Sequence, residues 1–280
     1  MKLIDFKNKF STSLTSHYSK GETDQLYFIL IEDKLGFSKT DLIIKVNNEI
    51  KDSDLIELEK VLDELLSGKP IQYILGNTWF DGLKIEVNEN VLIPRQETEE
   101  LVDWMFKDNK FHSPIILDLC SGSGCISLAL KNKIPNASVI GIDISEQAIL
   151  LSNSNATKLN LEVEYFCKNI LTESSENWKA DLIISNPPYI RESERSLMSD
   201  LVLKNEPELA LFVSDNDPLL FYRVISHFAF QSLSDGGKLY FEINEAFAKE
   251  TFAILEVEGF KNIELKKDLN NKYRMIKGTK

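Results

Sequence analysis

The residues with the clearest chemical potential are 186–189, Asn-Pro-Pro-Tyr, which directly follow the apolar run 181–185. Such a run predicts a buried parallel strand, and open α/β sheets bind ligands where such strands end. Each proline fixes its own φ and keeps the preceding residue out of the helical region. The Asn186 side-chain oxygen and the Pro187 carbonyl can then be two rigid acceptors for a planar NH2 group, with the Tyr189 ring against a flat substrate. The alternative is a rigid turn without a chemical role.

A second candidate site is the glycine-containing segment 118–124, which joins a predicted strand to an apolar helix over 126–130. A glycine-rich turn of this kind lets the backbone approach a ligand and directs helix N–H groups toward an anion. The dinucleotide pattern G-x-G-x-x-G is absent because Cys120 and Ser127 occupy the flanking positions, and there is no P-loop lysine. The acidic Asp118 would also repel a pyrophosphate.

These features suit S-adenosylmethionine (SAM), which carries an ammonium and a carboxylate but no phosphate. Asp118 can face the ammonium, and the backbone at Gly122 and Gly124 can face the carboxylate. Asp143 ends the next predicted strand, with the spacing expected of an acid that accepts the ribose hydroxyls. Asp143 could instead cap the following helix, but Ser145 can supply that cap and leave Asp143 free. Together with the Asn-Pro-Pro-Tyr segment, these residues predict a SAM-dependent methyltransferase.

The elements that must position these residues alternate between strands and helices from residue 114 onward, which is typical of a parallel sheet. The predicted strands are Ile115–Leu119, Val139–Ile142, Val163–Phe166, Leu182–Ser185 and Lys238–Ile243, with two more around residues 263–265 and 273–277 that close the sheet.

The chain before this sheet has a different pattern. Residues 1–76 predict short amphipathic helices, of which the clearest spans Asp52 to Ser67, with Asp52 or Ser53 as its N-cap. This segment is either a docking domain or simply packed structure. Residues 77–96 form a linker that contains a β-hairpin, and the methyltransferase domain spans 97–280.

Composition narrows the range of partners. Of the 280 residues 43% are hydrophobic and 27% charged, and a net charge of −12 makes direct nucleic-acid binding unfavourable. The three cysteines form no C-x-x-C pair, so we expect no disulfide framework and no metal. Since there is no apolar run of membrane-spanning length and no signal-peptide core, we expect a cytoplasmic protein without a membrane partner.

Four segments carry a family resemblance: residues 68–76 (Gly-Lys-Pro-Ile-Gln-Tyr-Ile-Leu-Gly), Phe80, residues 91–99 (Val-Leu-Ile-Pro-Arg-Gln-Glu-Thr-Glu) and residues 184–190 (Ile-Ser-Asn-Pro-Pro-Tyr-Ile). Further matches are Glu206-Pro207, Ala210-Leu211, Phe221-Tyr222-Arg223 and Gly236-Gly237 leading to Glu242. In these segments the chain resembles the protein-(glutamine-N5) methyltransferases that modify peptide-chain release factors. Asn-Pro-Pro-Tyr alone is shared with adenine-N6 DNA methyltransferases, so the signature from Pro94-Arg95 to Glu99 is the more specific match.

The resemblance implies an α/β fold with a seven-stranded, Rossmann-like SAM-dependent methyltransferase domain, a small N-terminal helical domain and a β-hairpin linker. It implies SAM as the cofactor and the glutamine of the Gly-Gly-Gln loop of a release factor, free or on the ribosome, as the acceptor. Asn186 and Pro187 would be the catalytic residues that orient the amide, with Pro188, Tyr189 and Arg95 completing the substrate site.

The cofactor site predicted from the loop and the resemblance together consists of Asp118, Cys120, Gly122, Gly124, Asp143, Asn169 and Asn186. Three residues depart from the family pattern. Cys120 and Asn244 stand where glycine is common, and Asn169 stands where an acid often contacts the adenine amino group. The Asn169 amide oxygen can still accept a hydrogen bond there.

Three other functions fit parts of the pattern. A related enzyme could methylate a glutamine of a ribosomal protein, and an adenine-N6 nucleic-acid methyltransferase could use the same Asn-Pro-Pro-Tyr segment against a flat base. The acidic charge and the lack of an aromatic and basic recognition segment disfavour the nucleic-acid enzyme. A non-catalytic SAM-fold adaptor is disfavoured because all five residues of the predicted site are present: Asp118, Gly122, Gly124, Asp143 and Asn186.

Overall fold

The computed structural model describes residues 1–110, 112–175 and 178–280, and the chain divides into two compact units, Met1–Asn77 and Thr78–Lys280. The first unit is helical. Its helices are α1 (Leu3–Leu14), α2 (Lys20–Leu35), α3 (Lys39–Ile44), α4 (Asp52–Leu66) and α5 (Ile71–Leu75). Phe6, Phe10, Tyr27 and Leu58 are among the buried side chains that form its own hydrophobic core.

Helix α4 lies where the leucine spacing predicts a helix. Its buried face consists of Leu58, Val61, Leu62 and Leu65. The predicted N-cap is wrong, because Lys51 stands at the cap position, without a side-chain cap hydrogen bond. Asp52 and Asp54 lie in the first turn instead, where a carboxylate interacts favourably with the positive end of the helix dipole.

The predicted hairpin is present as β1 (Asn77–Phe80) and β2 (Leu83–Glu86), which form a two-stranded sheet. Asp81 and Gly82 connect the strands with φ values of 49° and 78°. Two successive positive φ values are the signature of a type I′ turn, whose twist matches that of paired strands. Helix α6 (Gln96–Asp108) follows. The domain limits of the sequence analysis, 1–76, 77–96 and 97–280, stay predictions.

Among the described residues, seven strands form the central sheet in the order β10-β11-β9-β6-β3-β4-β5. They are β3 (Ile115–Leu119), β4 (Ser138–Asp143), β5 (Glu164–Cys167), β6 (Ala180–Ser185), β9 (Leu233–Glu242), β10 (Lys261–Lys267) and β11 (Tyr273–Thr279). All seven predicted strands are therefore confirmed. The pairs among β3, β4, β5, β6 and β9 are parallel, whereas β11 is antiparallel to both β9 and β10.

Helices cover the sheet. They are α7 (Cys125–Lys133), α8 (Glu146–Leu159), α11 (Leu220–Ser232) and α12 (Ala248–Glu258) in addition to α6. The neighbours Ile116 and Leu117 in β3 point to opposite faces, and both are fully buried, so both faces of the sheet are covered. The segment after the Asn-Pro-Pro-Tyr motif adds elements that the sequence did not predict: β7 (Ile190–Arg191), α9 (Asp200–Asn205), α10 (Glu208–Leu211) and β8 (Phe212–Val213).

Gly141 lies in β4, the strand next to the edge strand β5, and pairs with Asp118 of β3 on one side and Tyr165 of β5 on the other. A Cβ on Gly141 would lie 2.4 Å from Cδ1 of the Tyr165 ring and 3.2 Å from Cβ of Ser121. Glycine at this position therefore lets the tyrosine ring lie across β4, beneath the segment that follows β3.

We expect Gly141→Ala to lower the free energy of unfolding by about 1–3 kcal/mol, because the tyrosine ring must shift inside a packed core. Urea denaturation of the full chain measures this effect. In a Tyr165→Ala background the same substitution should cost less, since the closest clash is gone. An equal cost in both backgrounds would show that the ring is not the obstacle.

Candidate active site

A cavity of about 320 Å³ lies at the carboxyl ends of the central strands. Its walls come from the segments after β3, β4, β5 and β6, and from the chain before and within the first turn of α6. They include Arg95, Thr98, Cys120, Gly122, Asp143, Ile144, Asn169, Ile170, Asn186, Pro188, Leu209 and Phe221. Since β4 and β6 flank β3 on opposite sides, the chain reverses its direction of travel across the sheet here, which is where doubly wound folds bind ligands.

Three residues of the glycine segment have left-handed backbone conformations: Cys120 (φ 65°), Gly122 (φ 53°) and Gly124 (φ 79°). Cys120 and Gly122 line the cavity as predicted. Gly124 lies outside the cavity wall and is the N-cap of α7, where a Cβ would stand 2.4 Å from the Tyr165 hydroxyl oxygen. Glycine at this position therefore leaves room for the Tyr165 hydroxyl, and its contact with the cofactor stays a prediction.

Asp143 lines the cavity, but it is not as free as the sequence predicted. Its Oδ2 accepts the Gly122 N–H at 2.8 Å and its Oδ1 accepts the Ser145 N–H at 2.9 Å. Ser145 caps α8 as predicted, accepting the Ala148 N–H. Burial raises the pKa of Asp143. An ionised carboxylate offers about four acceptor positions, so Asp143 can join the segments after β3 and β4 and still receive ribose hydroxyls.

Asp118 is the first residue of the glycine segment, lies in β3 and is fully buried. Its Oδ2 accepts the Ser127 N–H at 3.1 Å and the Ser127 hydroxyl. Its Oδ1 has no hydrogen-bond partner within the described part of the chain. Asp118 is not part of the cavity wall, so its predicted contact with an ammonium finds no support in this geometry. Successive side chains of a strand point to opposite faces of the sheet, and both faces are covered here. The Asp118 side chain therefore points into a covered face, toward Ser127 of α7.

The pH dependence of stability should report this burial. Desolvation raises the pKa of Asp118 from 3.8 to about 7, and the nearby Asp143 adds to the effect. Because burial places the folded-state pKa above the unfolded-state value, the contribution of Asp118 to the free energy of unfolding is fully present below pH 3.8. This contribution declines as the pH rises and is lost once the pH has passed the folded-state pKa of about 7. Between these pH values, the unfolding free energy of the wild type should fall relative to Asp118→Asn by roughly 1.4 kcal/mol per pH unit.

Denaturant titrations of the ligand-free protein from pH 4 to pH 8 provide this comparison. Asp235→Asn, at an exposed position, is the control for removing one carboxylate. Parallel curves for the wild type and Asp118→Asn would contradict the prediction.

The Asn-Pro-Pro-Tyr segment follows β6 as predicted. Asn186 and Pro188 line the cavity, whereas Pro187 and Tyr189 do not contribute to its wall. The Asn186 Nδ2 donates to the Thr98 Oγ at 3.2 Å, the Thr98 hydroxyl donates to Glu242 Oε2 at 2.6 Å, and the Tyr189 hydroxyl donates to Glu242 Oε1 at 2.9 Å. Tyr189 also packs against the hydrophobic core. The expectation that its ring faces a flat substrate is therefore corrected, since its hydroxyl is directed inward to Glu242.

Arg95 reaches the cavity as predicted. Its guanidinium pairs with Glu206, whose side chain is fully buried, and Glu206 also accepts the Ile93 N–H at 3.2 Å. A charge buried without a partner would be costly. Arg95 and Glu206 therefore fix the segment before α6 to the segment before α10, and both segments form walls of the cavity.

The two asparagine departures have local explanations. Asn169 lines the cavity, and its Oδ1 accepts the Leu171 N–H at 3.0 Å, which leaves one lone pair for an adenine amino group. Asn244 has an ordinary φ of −68°, so glycine is not required there. Its Nδ2 donates to the Tyr189 carbonyl and to Glu194.

Sequence reasoning missed Thr98 as a site residue and named Glu242 only as part of the resemblance. Thr98 occupies the third position of α6 among acidic residues, where a helix-terminus role is the ordinary interpretation. The only signal for its role is its hydrogen bond to the buried carboxylate of Glu242. That residue is 144 positions further along the chain, so the sequence alone does not show the pairing.

The residues of this cavity fit SAM. The Gly122 backbone at positive φ, the Asp143 carboxylate and the Asn169 amide lie beside the apolar side chains of Ile144 and Ile170. The volume falls in the range of small-molecule sites. Within the described ranges, no group of three or more metal-ligating side chains is found, and no helix is long and apolar enough to cross a membrane. The fold and this site define a SAM-dependent methyltransferase.

Comparison with known proteins identifies the family. The Methyltransferase small domain matches residues 97–211 and the PrmC N-terminal domain matches residues 8–76. The release factor glutamine methyltransferase of Flavobacterium psychrophilum is 43% identical over 99% of both chains. The enzyme of the same name from Bacteroides thetaiotaomicron is 37% identical over 94% of this chain and 95% of its own. The chain therefore belongs to the release factor glutamine methyltransferase family.

Solved structures agree on the fold. A Thermus thermophilus 16S rRNA N2 G1207 methyltransferase, in complex with AdoMet and guanosine, has a TM-score of 0.53 at 16% identity over 73% of this chain and 49% of that one. A methyltransferase from Pyrococcus furiosus has a TM-score of 0.51 at 16% identity, covering 71% of this chain and 89% of its own.

Proposed function

We propose that this chain methylates the side-chain amide nitrogen (N5) of the glutamine in the Gly-Gly-Gln loop of peptide-chain release factors. The single observation that carries the proposal is that Asn186, at the end of β6, lines the same cavity as Gly122 and Asp143. An acceptor for an NH2 group and the residues that suit SAM thus share one space. The names of the relatives supply the release factor as the protein substrate.

The chemistry explains why positioning is sufficient. An amide nitrogen is a weak nucleophile because its lone pair is delocalised into the carbonyl, and bound SAM supplies an electrophilic methyl group. Asn186 lines the cavity, and its Oδ1 would accept a hydrogen bond from one N–H of the substrate amide. The family resemblance assigns the other N–H to the backbone carbonyl of Pro187, whose residue is outside the cavity wall, and the two contacts together would direct the nitrogen at the methyl carbon. Alignment of this kind can contribute up to about 7–11 kcal/mol in ideal cases. The new N–C bond would form as the methyl C–S bond breaks, which leaves a neutral thioether, and the proton would then pass to water because the methylated amide nitrogen is strongly acidic.

No side chain needs to act as a general base in this scheme. Glu242 is the nearest buried carboxylate to Asn186 in the hydrogen-bond chain, but both of its oxygens already accept hydrogen bonds from Thr98 and Tyr189. Glu242 is also outside the cavity wall. A carboxylate in that situation fixes its neighbours and has no access to the substrate proton.

The remaining parts of the chain fit the same reaction. We assign residues 1–76 to docking of the release factor, either free or on the ribosome, residues 77–96 to the linker and residues 97–280 to the methyltransferase domain. Arg95, Pro188 and the apolar side chains of Leu209 and Phe221 line the cavity and would contact the glutamine-bearing loop. The net charge of −12 favours a protein over a nucleic acid, and we place the reaction in the cytoplasm, where translation takes place.

A competition among substrates tests the proposal. The full chain is incubated with labelled SAM and purified release factor, ribosomal proteins or DNA, and the product is mapped by mass spectrometry. We expect one methyl group on the Gly-Gly-Gln glutamine and no label on a release factor in which that glutamine is replaced by glutamate. Preferred methylation of a ribosomal protein, or of adenine with the release factor untouched, would overturn the proposal.

A further inference from the structure

The hydrogen-bond chain from Asn186 through Thr98 to Glu242 joins three separate elements of the second unit. Asn186 follows β6, Thr98 lies in the first turn of α6 and Glu242 ends β9. Thr98 and Glu242 are each only 2% exposed. Tyr189 approaches Glu242 from the other side, so the carboxylate has a hydroxyl donor on each oxygen.

We propose that Thr98 and Glu242 are positioning residues that lock the Asn186 amide in the orientation in which its oxygen, and not its NH2 group, is offered to the substrate. This inference rests on the proposed function, because it explains how the acceptor for the glutamine NH2 is fixed. The lock itself is a property of the free protein and can be measured without substrate.

The direction of each hydrogen bond follows from proton counting. In its ionised form Glu242 has no proton to give, so Tyr189 and Thr98 must both donate to it. The Thr98 hydroxyl has a single proton, and it is used in the bond to Glu242 Oε2. Its oxygen can then only accept. The group of Asn186 that faces Thr98 at 3.2 Å must therefore be the NH2 group.

A flipped amide would place its oxygen against the oxygen of Thr98, with no proton between them. That arrangement loses one hydrogen bond and brings two acceptors together, whereas an unlocked asparagine could adopt either orientation. A flipped Asn186 would present N–H donors to the substrate NH2 group, which is itself a donor. The lock thus prevents an orientation that cannot bind the proposed substrate.

The direction of these hydrogen bonds also depends on the ionisation of Glu242, and therefore on the groups around it. Burial raises the pKa of Glu242, the hydrogen bonds from Thr98 and Tyr189 and the nearby Arg274 oppose that rise, and Glu97 adds to it. The Arg274 guanidinium donates to the Ile243 carbonyl at 3.3 Å, in the residue directly after Glu242. The fully buried carboxylate thus has a cation nearby as well as two donors.

The first arm of the test observes the lock directly. Asparagine side chains are labelled with ¹⁵N, the Asn186 NH2 signal is assigned by its loss in Asn186→Ala, and its hydrogen exchange is measured in the ligand-free protein. We expect the exchange to be at least tenfold faster in Thr98→Val, which removes the hydroxyl at nearly constant shape. Thr98→Ser, which keeps a hydroxyl, should retain most of the protection. Equal exchange in all three proteins would overturn the inference.

The second arm measures the consequence for turnover. Thr98→Val should lower kcat by about tenfold to a hundredfold, the size of effect expected from misplacing a substrate-orienting group, while SAM affinity stays within twofold. Thr98→Ser should recover most of kcat. Thermal melting of each variant identifies any loss of folding.

A double-mutant cycle separates a lock on Asn186 from a general structural effect. If Thr98 acts through Asn186, adding Thr98→Val to Asn186→Ala should cause little further loss of kcat. Fully multiplicative losses would overturn the inference. A wild type that leaves release factor unmethylated would instead refute the proposed function, and the exchange measurement would still decide whether the lock exists.

Discussion

Replacing Asn186 by alanine will reduce turnover about a hundredfold or more while leaving SAM affinity within about twofold. The substitution removes the hydrogen-bond acceptor that orients the substrate amide, and misplacing a reacting group by about 1 Å can cost about a hundredfold in rate. An interaction that matters mainly in the transition state lowers kcat and kcat/KM together. Single-turnover methylation of release factor and calorimetric titration with SAM give the two quantities.

Asn153→Ala is the matched control for this experiment. Asn153 is an exposed asparagine on α8 whose Nδ2 donates to the Ile149 carbonyl, and it is not among the residues that line the cavity. Turnover within threefold of wild type in Asn186→Ala would refute the catalytic role of Asn186. An equal loss of SAM affinity would show that cofactor binding, the other role predicted for Asn186, is its main one.

Replacing Asp143 by alanine will weaken SAM binding by more than tenfold. Hydrogen bonds to a charged group are worth about 1.5–3 kcal/mol each, and the ribose hydroxyls are expected to donate to this carboxylate. The substitution also leaves the Gly122 N–H, which now donates to Asp143 at 2.8 Å, without its acceptor. Both effects act in the same direction, since the glycine segment loses the contact that holds it in place.

Isothermal titration calorimetry with SAM measures this effect directly. Glu146→Ala is the control, because Glu146 lies in the first turn of the same helix α8 and is exposed. It removes the same charge from nearly the same place without touching the cavity wall. An unchanged SAM affinity in Asp143→Ala would refute the assignment.

The strands of the sheet could be predicted from the chain alone because each is a short apolar run between turn residues. β3 begins and ends where the sequence placed it, and the other six strands differ from their predicted limits by a few residues. The order of the strands was not predictable in this way. An apolar run records that a strand is buried, but it does not record which neighbours it has or that β11 enters antiparallel to β9.

In the candidate site, too, local features could be predicted from the sequence and long-range contacts could not. The sequence by itself determined that a rigid Asn-Pro-Pro-Tyr segment and a glycine turn each follow a strand, because prolines, glycines and apolar runs act within a few residues. Only the tertiary structure decided that Asp118 is buried outside the cavity wall and that Asn186 is joined to Glu242 through Thr98. These last contacts join residues 88 and 144 positions apart. Hydrogen bonds of that kind depend on how the sheet brings strand ends and helix starts together, and no local pattern of residue types encodes them.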